Sequence, residues 1–179
     1  MAAEERPSRR QQILEALARE LESNPGVRIT TAHLAHAVGV SEAALYRHFP
    51  SKAKMFESLI GFAEESVFGL VGRILNDEKD ALRRCENIMR VLLGFSARNP
   101  GITRVLLGDA LVGENERLRQ RVGQFFNRME TQLKQVLREG EAAGEVRSRV
   151  PAGAAAGLLL AVAEGKMARF VRGGFARDP

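Results

Sequence analysis

From residue 10 onward, apolar side chains recur every three or four positions almost without interruption. Residues 10–21 place Ile13, Leu14, Leu17, Ala18 and Leu21 on one face, which predicts an amphipathic helix that stops before the turn signal Asn24-Pro25-Gly26. Two short helices are expected within residues 30–49. Pro50 then breaks the chain, and Ser51 is a suitable N-cap for a long helix burying Met55, Phe56, Leu59, Ile60, Ala63, Val67, Leu70, Val71 and Ile74. Residues 80–99 form another helix, with Ile88, Val91, Leu92 and Phe95 apolar, closed by Asn99-Pro100-Gly101. Residues 102–107 make a short helix ending at Gly108. Residues 114–140 make a long, charged one whose buried side is Leu118, Val122, Phe125, Phe126, Met129, Leu133, Val136 and Leu137. Residues 141–151 read as a loop and 152–172 as a last apolar helix. No segment alternates with period two for long enough to predict a strand. The expected fold is all-α, with short and medium helices preceding a bundle of longer ones.

The stretch TTAHLAHAVGVSEAALYRHFPSK, residues 30–52, has a distinct organisation. Thr30 and Thr31 can cap a helix burying Leu34, Ala35 and Val38. Gly39 falls where a left-handed backbone ends a helix, and Val40 continues the core. Ser41 is an N-cap for a second short helix, whose Leu45 and Phe49 stack at i, i+4. Two helices of this length joined by a glycine turn form a helix-turn-helix, and they are stable only when packed on the first helix and the start of the Ser51 helix. Ala43, Tyr46 and Arg47 then face outward, with His48 at the edge. A guanidinium can address guanine O6 and N7, Ala43 can touch a thymine methyl, and Tyr46 and the threonines can donate to phosphates. Lys52 adds charge at the N-terminus of the next helix, where free N–H groups also face an anion. Plainer roles stand beside these. Thr30 and Ser41 are good caps with or without DNA, and Tyr46 could pack on the head. Glu42 suits a helix N-terminus electrostatically. His33 and His36, at i, i+3, lack a neighbouring Glu or Cys to complete a metal site, so no metal is expected.

Composition narrows the function classes. Hydrophobic residues make up 45% of 179, enough for a real core, and the net charge of +5 permits an anionic partner without requiring one. The single cysteine, Cys85, excludes an internal disulfide and fits a reducing compartment. MAAEERPSRRQQ lacks the apolar core of a signal peptide, and the longest apolar run, residues 152–163, is too short to span a bilayer. A cytoplasmic protein without membrane attachment is expected. Cys85 has no nearby histidine, and neither a glycine-rich phosphate loop nor a Ser/His/Asp arrangement is present, so neither catalysis nor a cofactor is expected.

VGVSEAALYRHFPSK resembles the recognition-helix segment of the TetR family of transcriptional regulators. ITTAHLAHAVGVSEAALYRHFPSKAKMFESLI and LLGFSARNPGITRVLLGDAL resemble, more narrowly, the family's members that act in nucleoid occlusion. The resemblance implies a three-helix DNA-binding head over residues 1–52 and a helical dimerisation and partner domain over 53–179. It implies a homodimer on palindromic DNA with half-sites roughly 34–36 Å apart or a multiple of that. The helices at 114–140 and 152–172 would form the dimer interface, with Ala154, Ala155, Ala156, Gly157 and Ala161 allowing close approach. The residues expected to bind DNA are Thr30, Thr31, Ser41, Ala43, Tyr46, Arg47, His48 and Lys52. By the same resemblance the partner is the C-terminal tail of FtsZ, the tubulin-like division GTPase, bound by a nucleoid-associated protein at Phe62, Val91, Gly94, Arg98 and Asn99. Gly94 is notable without the resemblance, because a glycine inside a helix costs about 1 kcal/mol relative to Ala. It implies close approach either by another chain or within this one. Arg98 and Asn99 are also suitable as helix C-terminal charge and cap. The alternative function is that of a repressor released from its operator by a small molecule, with the same fold and head.

Overall fold

A computed structural model describes residues 7–179; residues 1–6, and with them half of the opening segment that lacks a signal-peptide pattern, lie outside the described residues. The architecture is all-helical: α1 (Arg9–Ser23), α2 (Thr31–Val38), α3 (Glu42–His48), α4 (Lys52–Asp77), α5 (Ala81–Arg98), α6 (Pro100–Leu107), a 3-10 turn (Asp109–Leu111), α7 (Glu116–Ala142) and α8 (Ala152–Arg172).

Local chemistry accounts for the boundaries. Ser8, Thr30, Ser41, Ser51 and Asp80 each cap a helix by accepting a backbone N–H, as N-cap side chains do. Gly39 ends α2 in the left-handed conformation, with φ 71°, and its N–H reaches back to Ala35 and His36. Pro100 opens α6, where its missing N–H is harmless. Gly101 is therefore not part of a turn; it lies in the first turn of α6, buried against α1.

One continuous core joins the head to the body. Ile13, Leu17, Leu34, Leu45, Phe49 and Met55 fill the head, while Ile88, Leu92, Phe125, Met129, Leu133 and Met167 fill the body. Val38 and Val40 lie half-buried at the edge of this core, and Phe126 likewise on α7. Leu70, expected inside, is exposed. The far half of α4 leans on α7 instead: Phe68 stacks on Phe125 with centroids 5.2 Å apart and lies under the Arg128 guanidinium at 3.8 Å, which turns Leu70 outward.

Two contacts fix the head on the body. Gly101 of α6 abuts the backbone of Ala18 and Glu22 in α1. The buried guanidinium of Arg104, also on α6, donates to the carbonyls of Leu21 (2.6 Å) and Asn24 (3.2 Å) at the end of α1 and to Asp109 (2.8 Å). A cation at a helix C-terminus satisfies orphan carbonyls and opposes the negative end of the helix dipole.

On α8 the inward stripe is Ala152, Ala156, Leu160, Ala163, Met167 and Phe170. Ala156 thus packs inside its own protomer, because it shares a stripe with Leu160 and Ala163 against the rest of the body. Ala154 and Ala161 remain outward, accompanied by the exposed Leu158 and Val162.

Candidate nucleic-acid interface and partner face

The outward side of α3 carries Ala43, Tyr46, Arg47 and His48, all exposed. Tyr46 is 44% exposed, so it does not pack into the head. Its hydroxyl donates weakly to Thr31 Oγ1 at 3.4 Å, and the Thr31 hydroxyl donates to the Glu42 carboxylate at 2.7 Å. These contacts tie the start of α2 to α3 across the same surface. Thr30 and Ser41 hold their oxygens on the N–H groups of His33 and Ala44. Their hydroxyl hydrogens remain available to an incoming anion, so capping and phosphate contact coexist. Glu42, in the first turn of α3, opposes phosphate while favouring its own helix terminus. His33 is held by a carboxylate, its Nε2 lying 2.6 Å from Glu20 on α1.

Lys52 is differently placed from the other seven residues. Its Nζ lies 2.6 Å from Glu114, just ahead of α7, and over the ring of Phe56 at 5.5 Å. The amine is therefore committed within the chain, although it stands in the first turn of α4.

The second surface lies on the body. Phe62 of α4 is 49% exposed, with its ring centroid 6.0 Å from Phe95 of α5. Beside it runs an apolar groove of about 330 Å³ lined by Leu14, Ala18, Leu59, Phe62, Asn99 and Ile102, with Gln11 and Glu15 at its polar edge. Along α5, Val91, Gly94 and Arg98 follow at helical spacing, and Asn99 closes the helix by donating Nδ2 to Phe95 O at 2.8 Å. A Cβ on Gly94 would meet only the guanidinium of Arg98, at 3.5 Å or more. Close packing within this chain therefore does not account for the glycine. Arg98 is exposed and has no carboxylate partner among the described residues. An unpaired cation, a half-exposed aromatic ring and an apolar groove suit an extended peptide with apolar and acidic residues.

Residues 13–59 match the bacterial regulatory proteins of the tetR family, and residues 79–179 match the SlmA-like, tetracyclin repressor-like C-terminal domain. The chain belongs to the TetR family. Relatives named nucleoid occlusion factor SlmA are 57% identical in Shewanella amazonensis and 53% in Alteromonas mediterranea, each over all of this chain and 91% and 92% of the relative. The fold matches the MbdR regulator of Azoarcus sp. CIB with a TM-score of 0.82, covering 96% of this chain and 90% of that one, at 17% identity. It also matches the fatty acid degradation regulator FadR of Bacillus halodurans with a TM-score of 0.76, covering 98% and 90%, again at 17% identity.

In TetR-family terms the head and the two long C-terminal helices stand where the sequence pattern anticipates them. Leu14 and Ala18 read only as positions on the apolar face of the first helix, yet together with Ile102 they line the open groove. Arg104 and Glu114 gave no sequence signal, because their partners are 80 and 62 residues away. No helix of the described residues is long and apolar enough to cross a membrane. Cys85 is buried, and burial pushes its thiol pKa up, the opposite of what an attacking thiolate requires.

Proposed function

We propose that this TetR-family chain is a nucleoid occlusion factor: a homodimer that binds palindromic chromosomal sites and, from there, binds the C-terminal tail of FtsZ and antagonises division-ring assembly over the nucleoid. Residues 1–52 read DNA and 53–179 dimerise and hold the partner, with α4 continuous across the division. Arg47 and Ala43 address base edges, while Thr30, Thr31, Ser41, Tyr46 and His48 serve the backbone, which Lys52 can join only by leaving Glu114. The outward Ala154, Leu158, Ala161 and Val162 supply the meeting face of α8. No catalytic step is assigned, and the protein acts in the cytoplasm on the nucleoid.

The observation that carries the partner assignment is the face formed by Phe62, Val91, Gly94, Arg98 and Asn99. It combines an open approach over Gly94, an unpaired guanidinium and an apolar groove beside Phe62. An extended tail that carries both apolar and acidic residues matches all three features. The relatives' shared name, nucleoid occlusion factor, supports this reading of the chain.

The test is titration of a labelled FtsZ C-terminal-tail peptide into the protein, with and without palindromic DNA selected from a random pool. Phe62→Ala should weaken the peptide by at least about 30-fold, the effect of a central aromatic anchor, with DNA affinity retained. Absence of peptide binding in both conditions, together with release of DNA by a small molecule, would establish the repressor alternative.

A further inference from the structure

Glu114 stands just ahead of α7, in the body. Its side chain is only 10% exposed, at the start of the body's long helix pair, and one of its oxygens stands 2.6 Å from Lys52 Nζ and 3.8 Å from Arg28 Nε. Both cations belong to the head: Arg28 in the link between α1 and α2, Lys52 in the first turn of α4. Arg28 is 71% exposed and Lys52 only 18%, so the lysine is the one withdrawn from solvent. The backbone that carries this carboxylate is itself braced. Glu114 N–H donates to Leu111 O at 3.0 Å, and the next residue, Asn115, caps α7 through Arg117 N–H.

Lys52 is also where a phosphate would best be received, next to the free N–H groups behind the Ser51 cap. Its amine can swing on a flexible four-carbon stem, so the two destinations exclude each other. Leaving Glu114 for a phosphate oxygen strands a mostly buried carboxylate with Arg28 alone, at a distance too long for a hydrogen bond.

The geometry points to Glu114 as an internal counter-charge that competes with the DNA backbone for Lys52 and Arg28, so that a body carboxylate sets the head's affinity for duplex of any sequence. The inference rests on the DNA-binding reading of the head and adds a residue outside it. The competition acts on the phosphate contribution, so it lowers sequence-independent binding and leaves base readout by Arg47 intact. By linkage, whatever tightens the Lys52–Glu114 pair weakens DNA, and DNA contact loosens the loop ahead of α7.

The test is fluorescence anisotropy of the full chain on a mixed-sequence duplex and on its palindrome, across about 50–200 mM salt. Glu114→Gln should tighten the mixed duplex by up to about fivefold per protomer, the worth of one partly exposed charge pair. The slope of log affinity against log salt should steepen by about one unit per protomer. Lys52→Ala alone should change binding little, whereas added to Glu114→Gln it should remove most of the gain. Glu141→Gln, the same charge change at the opposite end of α7, should give no comparable gain. Glu114→Asp, which keeps the charge but shortens its reach, should give an intermediate gain and serves if the Gln variant folds poorly. Unchanged or weaker binding by Glu114→Gln or Glu114→Asp with an intact melt, or an equal gain from Glu141→Gln, overturns the proposal. Failure of the unmodified chain to bind either duplex would overturn the DNA-binding reading itself.

Discussion

Gly101→Ala offers the sharpest test of how the head is held. A Cβ at this position would stand 2.0 Å from Ala18 O, 2.9 Å from Ala18 C and 3.2 Å from Glu22 N, all backbone atoms of α1. Real Cβ contacts essentially never fall below 3.0 Å, so α1 and α6 must separate by at least the difference, 3.0 − 2.0 = 1.0 Å. No rotamer change relieves this, because the obstructing atoms belong to a helix that also carries Ile13, Leu17 and Leu21 into the core. Overpacking costs about 1–3 kcal/mol where side chains can yield, and a rigid backbone places this case at the upper end, about 3 kcal/mol. For a chain of this size, about 2–4 °C is lost per kcal/mol, giving a fall of about 6–12 °C in thermal melting followed by circular dichroism. Gly69→Ala is the matched control. It makes the same chemical change in mid-α4, where a Cβ meets nothing within 4 Å, and should stabilise by about 0.5–1 kcal/mol. Displacing α1 also tilts the head, so palindrome binding should weaken in Gly101→Ala. A melting temperature within about 2 °C of the unmodified protein, well under the worked shift, would refute the close α1–α6 contact.

Arg104→Met should cost about 1–3 kcal/mol in urea unfolding, because the carbonyls of Leu21 and Asn24 lose their buried donor while the half-exposed Asp109 can return to water. Arg47→Ala should weaken the selected palindrome by about 1–3 kcal/mol in anisotropy titrations, while mixed-sequence binding changes far less. Burial first, then the charge of Glu130, raises the pKa of Glu164 in the folded state above its ordinary 4.5. The contribution of Glu164 to stability is thus fully present below pH 4.5 and lost as pH rises through the raised value. Glu164→Gln should therefore melt higher than the unmodified protein at pH 7, with the gap closing as pH falls towards 4.5; a gap independent of pH would exclude this carboxyl as its source.

What the residues disclosed before the structure, and what they withheld, follows the range of each interaction. Caps, glycine ends and helical stripes depend on neighbours within a turn, which is why Thr30, Gly39, Ser41, Ser51 and Asp80 were readable as boundaries. A stripe states that one face is buried but not which neighbour buries it or where that neighbour ends. Leu70 lies within the α4 stripe yet is exposed, and Leu14 and Ala18 of the α1 stripe border an open groove. Gly101 misled for the same reason. Its place after Asn99-Pro100 suits a turn, while its actual constraint comes from Ala18, far back in the chain. Arg104 and Lys52 extend the point to charge, since a cation's role is set by the carboxylate or carbonyl it meets. Lys52 reads as a phosphate ligand from its position on α4, but Glu114, 62 residues away, already holds its amine. Gly94 shows the converse. The sequence left its cause between two kinds of close approach, and the open space around it removes packing within the chain. Open space alone does not mark a docking face, since a Cβ at Gly69 or Gly72 of α4 would likewise meet nothing within 4 Å. What sets Gly94 apart is its place on a surface shared with Arg98 and Phe62.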